Sequence, residues 1–302
     1  MSETGHSWQL AIVLWGDKYS VTELNALIGA VRAKAAEPPR VVLVSDRPRP
    51  GLLADVHSRE MPPFFRNPAF LRGGCQAKLC VFEPGLLPAD LPTVLLDIDT
   101  LVMGDIGQLT QLLTTPQTVA ILQSAVLPFG GLARWLYRIT KGRRYARGNS
   151  SVVVFHPAHC TYIAERFQSL YHSHNGLNFR PMIADERFIS WVAQPHMRAV
   201  PKRLVVKFPT EFMWSARWVA HLRARLPWLK RRWAGLAALT FPGLDMKGQD
   251  LAMMPENAEI TDRKGRHLIW SEKVLGPVQH PIKEYYLALK RAEDAAKQDR
   301  TP

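Results

Sequence analysis

Two short aliphatic runs, QLAIVLW (Gln9–Trp15) and RVVLVS (Arg40–Ser45), flank a segment with a different period. Between them Leu24, Leu27, Ile28 and Val31 fall on one helical face, and Thr22 is placed to cap a helix running to Lys34. Runs apolar on both faces suit buried parallel strands, and the strand–helix–strand order opens a parallel α/β sheet. Pro48 to Gly74, rich in Pro, Gly and Arg, reads mostly as loop, and Ala77–Phe82 as a short helix. Further strands are expected over Val94–Asp99, Gln117–Gln123 and Ser150–Phe155. Helices are expected over Pro157–Tyr171 and Asp185–Ala193, and after the apolar segment Leu268–Trp270 a polar helical tail closes the chain. The expected organisation is one α/β domain over residues 1–280, with a basic, Trp-rich helical insertion at 212–245 and a polar helix or tail at 281–302.

The chain has 302 residues, of which 47% are hydrophobic, enough for a sizeable core. Its 39 Lys and Arg against 26 Asp and Glu leave +13, which suits an anionic partner such as a nucleotide or a membrane surface. The opening MSETGHSWQL carries Glu3 and no basic region, against a signal peptide, and no apolar run reaches the ~18 residues of a membrane span. The three cysteines, Cys75, Cys80 and Cys160, have no metal-type spacing and read as free thiols in a reducing cytoplasm.

The run VLLDIDTLV (Val94–Val102) ends a buried strand in two aspartates. On a strand, Asp97 and Asp99 face one way, and carboxylates that close repel unless a proton or cation lies between them. Hard divalent cations prefer such oxygens, and Mg²⁺ or Mn²⁺ held there would meet a ligand diphosphate. Open α/β sheets bind ligands at the C-terminal ends of their strands. A solvated turn after a strand is the competing reading.

An ordered set of segments resembles the GT-A glycosyltransferases, particularly family 8-like bacterial members. AIVLWGDKYS (Ala11–Ser20) is similar to the family's first strand and nucleotide loop, and RVVLVSD (Arg40–Asp46) to its second strand. GGCQAKLCVFEP (Gly73–Pro84) resembles the Lys-bearing helix, and LLDIDTLVMGDI (Leu95–Ile106) the metal strand. RGNSSVVVFHP (Arg147–Pro157) resembles the Asn-Ser-Gly strand, with Ser151 in place of Gly. ADERF (Ala184–Phe188) resembles the acidic pair that usually reads Asp-Gln. The match spans Leu10 to Ala193.

The resemblance implies the GT-A fold, a mostly parallel, Rossmann-like sheet flanked by helices, here with a basic helical C-terminal elaboration. It implies transfer of a hexose from a nucleotide sugar, UDP-linked, to an acceptor hydroxyl, with retention of configuration. It also implies roles. Trp15, Asp17 and Asp46 would lie near base and ribose, and Lys78 would reach the donor phosphate or sugar. Asp97 would contact ribose or metal, and Asp99 the metal. Asn149 and Ser150 would line the donor sugar, with Asp185 and Glu186 on its hydroxyls nearest the reacting carbon. The family's late metal-ligand His corresponds to Ser271 in HLIWSEKVLGP (His267–Pro277). Glu272, His267 and His280 are the candidates to replace it, weak or absent metal binding is the other outcome, and Lys273 is placed to meet the diphosphate.

Charge is uneven. No Asp or Glu occurs from Ile106 to Ala164 or from Phe212 to Leu239. The first stretch holds Arg134, Arg138, Lys141, Arg143, Arg144 and Arg147 beside Phe129, Trp135, Tyr137 and Tyr145. In the second, Trp214, Trp218, Leu222 and Leu226 recur every four residues beside Arg217, His221 and Arg225, and Pro227 ends or kinks that helix. Tryptophan and basic residues on one surface suit an anionic membrane interface, such as the inner face of the cytoplasmic membrane, over 212–239 and over 129–147. Such a face fits a lipid-linked or cell-envelope saccharide acceptor. A core-packed helix is the plain alternative, and no nucleic-acid motif is present.

Two rival functions stay open. LLDIDTLV superficially resembles the nucleophile loop of haloacid-dehalogenase phosphatases, although two strands precede it here. The Ser271 departure also admits a non-catalytic, membrane-associated protein with a decayed sugar-nucleotide site.

Overall fold

The computed structural model describes residues 5–123, 127–243 and 246–298. In chain order, β1 (Gln9–Leu14), α1 (Val21–Lys34), β2 (Arg40–Ser45), β3 (His57–Glu60), β4 (Thr93–Leu96) and β5 (Thr100–Val102) come first. They are followed by β6 (Val119–Gln123), α2 (Gly131–Ile139), β7 (Gly148–Phe155), α3 (Tyr162–Ser173), α4 (Asp185–Val192) and β8 (Met197–Val200). Next come β9 (Val205–Lys207), α5 (Phe208–Phe212), α6 (Arg217–Ala224), α7 (Pro227–Ala234) and β10 (Ala238–Thr240). The chain closes with α8 (Gly248–Ala252), β11 (Ala258–Thr261), β12 (His267–Trp270), α9 (Glu272–Leu275) and α10 (Gln279–Gln298).

These elements gather into two compact units of separated segments. One comprises Met1–Tyr19, Ala36–Asp97 and Gly107–Val200; the other comprises Ser20–Ala35, Ile98–Ile106 and Pro201–Pro302. The first unit is built on a seven-stranded sheet of order β3-β2-β1-β4-β7-β6-β8. Its β3, β2, β1 and β4 run parallel, β7 is antiparallel to β4 and β6, and β6 pairs parallel with β8. Every residue of β1 is buried, as its two-sided apolar run requires. Alternate residues share a face. Thus Ala11 and Val13, Val42 and Val44, Val153 and Phe155 enter one core with Phe167 of α3 and Phe188 and Ile189 of α4.

The second unit carries a three-stranded sheet, β5-β10-β9, and the two-stranded pair β11-β12. Its core brings together Phe208, Phe212, Trp233, Phe241, Trp270 and Tyr286. α10 includes the segment expected as a polar tail, and buries Ile282, Tyr286 and Leu289. α1 starts two residues earlier than expected. Ser20, not Thr22, is the cap: its Oγ accepts from the Glu23 amide at 3.1 Å, and Glu23 Oε2 accepts from the Ser20 amide at 2.7 Å.

A further difference bears on function. The strand expected over 94–99 is two strands. β4 stops at Leu96, and β5 begins at Thr100 in the other unit's sheet. The tryptophan stripe breaks at Pro227, as expected. α6 ends at Ala224, and Pro227 opens α7. Trp214 is half-buried beneath the Arg223 guanidinium, 4.5 Å from the ring centroid. Trp233 is buried with its Nε1 on Glu211, which also takes Arg223 and Arg232. Trp218 and Leu222 of the stripe, and Trp228 on α7, are exposed. Among the described residues no helix is long and apolar enough to cross a membrane.

Candidate active site

The loops that follow β1, β2 and β4 leave the C-terminal edge of the parallel strands, where an α/β sheet offers free backbone and ligand space. Trp15, Asp46 and Asp97 each stand at that edge. Trp15 packs against the core and donates its Nε1–H to the Leu71 carbonyl at 3.0 Å. Asp46 is fully engaged: Oδ2 accepts from the Gly16 amide at 3.1 Å and Oδ1 pairs with Arg49 at 2.6 Å. Asp17 is exposed and pairs with Arg47. The first two loops are therefore tied to each other.

Lys78 lies in a short 3-10 helix, Gln76–Phe82, whose residues are all buried. Cys75 precedes it in the left-handed region, φ 54°. Gly74 is needed because a Cβ there would stand 2.4 Å from the Ile183 carbonyl oxygen. That contact also lets the Gly74 carbonyl accept from the Asp185 amide at 2.9 Å. The helix carrying Lys78 and the first residue of α4 are thus brought together by backbone.

Lys78 Nζ is 2.8 Å from Asp97 Oδ1, 3.2 Å from Ser150 Oγ and 3.4 Å from Asp185 Oδ2. An ammonium has three donors, and they go to Asp97 Oδ1, Ser150 Oγ and, at 3.4 Å, the Ser150 carbonyl; Asp185 lies within ion-pair distance only. Burial alone would lower the Lys78 pKa, but Asp97 and Asp185 outweigh it and raise the pKa well above the ordinary lysine value. Burial raises Asp185 above the usual carboxylate range, against the pull of Lys78 and a Ser150 hydrogen bond. Although Lys78 lies within ion-pair distance, Asp185 Oδ2 has no hydrogen-bond partner of good geometry among the described residues. One ammonium facing two carboxylates leaves one negative charge. The cluster is therefore suited to hydroxyl donors or a further cation, and Lys78 acts as a holder of carboxylates.

Beside it, Asn149 Nδ2 donates to Glu186 Oε2 at 2.9 Å. α4 is pinned to β7 because the Gly148 amide donates to Ser190 Oγ at 2.8 Å, and Ser190 donates to the Glu186 carbonyl at 2.6 Å. The structure therefore brings Lys78, Asp97, Asn149, Ser150, Asp185 and Glu186 together within one unit.

Asp99 belongs to the other unit. Its Oδ2 lies 2.9 Å from Lys247 Nζ, and its carbonyl accepts from the Phe241 amide at 2.9 Å. Lys247, missed by sequence reading, precedes α8. Glu272 and Lys273 are exposed on α9, and the Glu272 amide donates to Glu256 at 2.8 Å. His267 bonds Thr261, and His280 faces Glu284. The resemblance of 267–277 to the family's late motif points to Glu272 and Lys273, and does not indicate Lys247 as a neighbour of Asp99.

Among the described residues, no three His, Cys, Asp or Glu are grouped to hold a metal ion. An ion brought in on a diphosphate needs fewer protein ligands, because Mg²⁺-type sites are completed by substrate oxygens and water around one or two carboxylates. The half-buried Asp97, next to a cluster with negative charge to spare, fits that arrangement.

Solved structures of similar architecture cover nearly the whole chain. A galactosyltransferase, LgtC, in complex with donor and acceptor sugar analogs, aligns with TM-score 0.54 over 93% of this chain and 95% of its own, at 12% identity. The fold is that of the GT-A glycosyltransferases. The bifunctional glycosyltransferase WbbM aligns with TM-score 0.54 at 13% identity, over 94% of this chain. The glycosyltransferase GlyE of Streptococcus pneumoniae TIGR4 aligns with TM-score 0.53 at 10% identity, again over 94%. This chain spans 52% of WbbM and 63% of GlyE. No protein-family model matches the sequence, and no curated protein is similar to it. On a GT-A sheet, the cluster around Lys78 occupies the edge at which the parallel strands end.

Proposed function

We propose that the protein is a glycosyltransferase that moves a hexose from a nucleotide sugar, UDP-linked, to an acceptor hydroxyl. The observation that carries this reading is the Asp185 carboxylate. It is buried, set 3.4 Å from Lys78, and keeps an acceptor oxygen without a hydrogen-bond partner among the described residues at the strand-end edge. A buried polar atom of that kind calls for a donor, and sugar hydroxyls supply donors in quantity.

In transfer, the bond from the anomeric carbon to the diphosphate oxygen breaks, the acceptor oxygen bonds that carbon, and its proton passes to the departing diphosphate oxygen. Asp185 and Glu186 hold donor-sugar hydroxyls, and Asn149 orients Glu186. Lys78 fixes Asp97, Ser150 and Asp185 relative to one another, which gives the site its preorganisation. Asp97 and Asp99 are the carboxylates assigned to Mn²⁺ or Mg²⁺ arriving with the diphosphate, where the ion would offset leaving-group charge. Retention of configuration is proposed on resemblance.

The acceptor is proposed to be a lipid-linked or cell-envelope saccharide met at the inner face of the cytoplasmic membrane. Exposed Trp218, Leu222 and Trp228 stand among exposed Arg217, Arg225, Lys230 and Arg231, which supports a peripheral membrane contact. A screen of UDP-hexoses for donor turnover, run beside Asp185→Asn, tests the transferase reading. Turnover of one donor that collapses in the variant supports it, and no turnover or binding of any nucleotide sugar overturns it.

A further inference from the structure

α2 reverses the usual arrangement of an amphipathic helix. In water the apolar stripe of such a helix faces the core. Here the buried residue of α2 is Ala133, while Leu132, Trp135 and Ile139 are 58%, 55% and 53% exposed. Spaced three and four apart, they form one continuous face.

Exposed cations surround that face. Arg134 and Arg138 lie on the helix, and Lys141, Arg143 and Arg144 follow its C-terminus. The five have no acidic neighbour in sequence, since Asp and Glu are absent from Ile106 to Ala164. Tyr145, next along, lies in the field of Arg147, Arg187 and Arg180. The basic turn is held firmly. Thr140 Oγ1 accepts from the Arg144 amide at 3.0 Å, and Gly142 packs so closely that a Cβ would be 2.8 Å from Trp191 Nε1. The face is a built surface with no apolar partner among the described residues.

We propose that α2 docks the protein onto an anionic lipid surface. Leu132, Trp135 and Ile139 enter the boundary between headgroups and acyl chains, and the five cations meet headgroup phosphates. Charge separates this occupant from others. A second copy of the chain, seated face to face, would set these cations against their like. A nucleic acid would match the cations and leave the apolar stripe in water. The inference rests on the peripheral-membrane reading above, and its test is read without sugar transfer.

The test is co-sedimentation of the full chain with phosphatidylcholine vesicles, with and without phosphatidylglycerol, across a salt series. Wild type is expected to bind only the anionic vesicles, less so as salt rises. Leu132→Ser, Trp135→Ser and Ile139→Ser together are expected to weaken binding by about tenfold or more, with UDP binding unchanged as the check on folding. A second variant, Arg138→Glu with Lys141→Glu and Arg143→Glu, is expected to lose binding while leaving the apolar stripe intact.

Wild-type binding by both α2 variants overturns the assignment. If Trp218→Ser, Leu222→Ser and Trp228→Ser together then abolish binding, the membrane reading stands and α2 is the wrong element. If wild type binds no vesicle, both fall. Self-association or RNA binding that depends on α2, without vesicle binding, also overturns the lipid occupant.

Discussion

Lys78 Nζ stands 2.8 Å from Asp97 Oδ1, and the side chain of Lys78 is almost fully withdrawn from water. Its ammonium is bonded to the protein's own carboxylates, so its first consequence is for stability. Replacing Lys78 with Met should cost about 3–5 kcal/mol, because two carboxylates then share a buried site with no cation. Denaturant unfolding measures this. Adding Asp185→Asn should restore part of the loss, and the double-mutant cycle should show coupling of about 1 kcal/mol or more.

Asp185→Asn alone separates function from stability. Burial raises the folded pKa of Asp185 above its ordinary value, so its charged form costs stability once pH exceeds the folded pKa. The neutral isostere removes that cost, and the variant should melt no lower than wild type at neutral pH. Donor turnover should fall by about 100-fold or more, because a preorganised acceptor on the sugar is lost. UDP alone, which has no hexose, should bind within about threefold of wild type, a difference of under 1 kcal/mol.

Gly248 should tolerate no side chain. A Cβ there would stand 1.9 Å from Tyr286 Cε2, and Lys247 is its chain neighbour. Gly248→Ala should destabilise the protein by about 1–3 kcal/mol through overpacking. Thermal unfolding measures it, and Gly248→Ala with Tyr286→Leu should recover part of the loss.

Glu256 gives a pH dependence of known sign. Hydrogen bonds from the Glu272 amide and Gln279 hold its pKa down to about 2. A depressed carboxylate contributes stability that is present above the ordinary value near 4.5 and lost as pH falls through about 2. The melting-temperature gap between wild type and Glu256→Gln should therefore be constant above pH ~5 and close across this acidic window.

The strands that carry the site were legible because short aliphatic runs, such as QLAIVL and RVVLVS, have few alternatives to a buried strand. β3, by contrast, reads HSRE and is fully exposed, so no apolar pattern marks it. The α1 cap was readable, since Ser20 and Glu23 have capping-box spacing, but Thr22 drew the reading two residues downstream. The aliphatic run through Asp97 and Asp99 suggested one strand, and period alone does not reveal that a strand passes from one sheet to another. Lys247 lies 148 residues from Asp99. Little near it beyond a Pro-Gly pair and the following Gly248 sets it apart, so its place depended on long-range packing. The period of the stripe and its break at Pro227 were legible, but Arg223 covers Trp214, which lies before α6 begins, and no period encodes that.

The most direct test of the central claim is calorimetric titration of UDP into the protein with and without Mn²⁺, beside Asp97→Asn. Binding that strengthens with Mn²⁺ in wild type, and loses that gain in the variant, is the predicted result. Absence of binding by UDP and by other nucleotides under every metal condition would contradict the account.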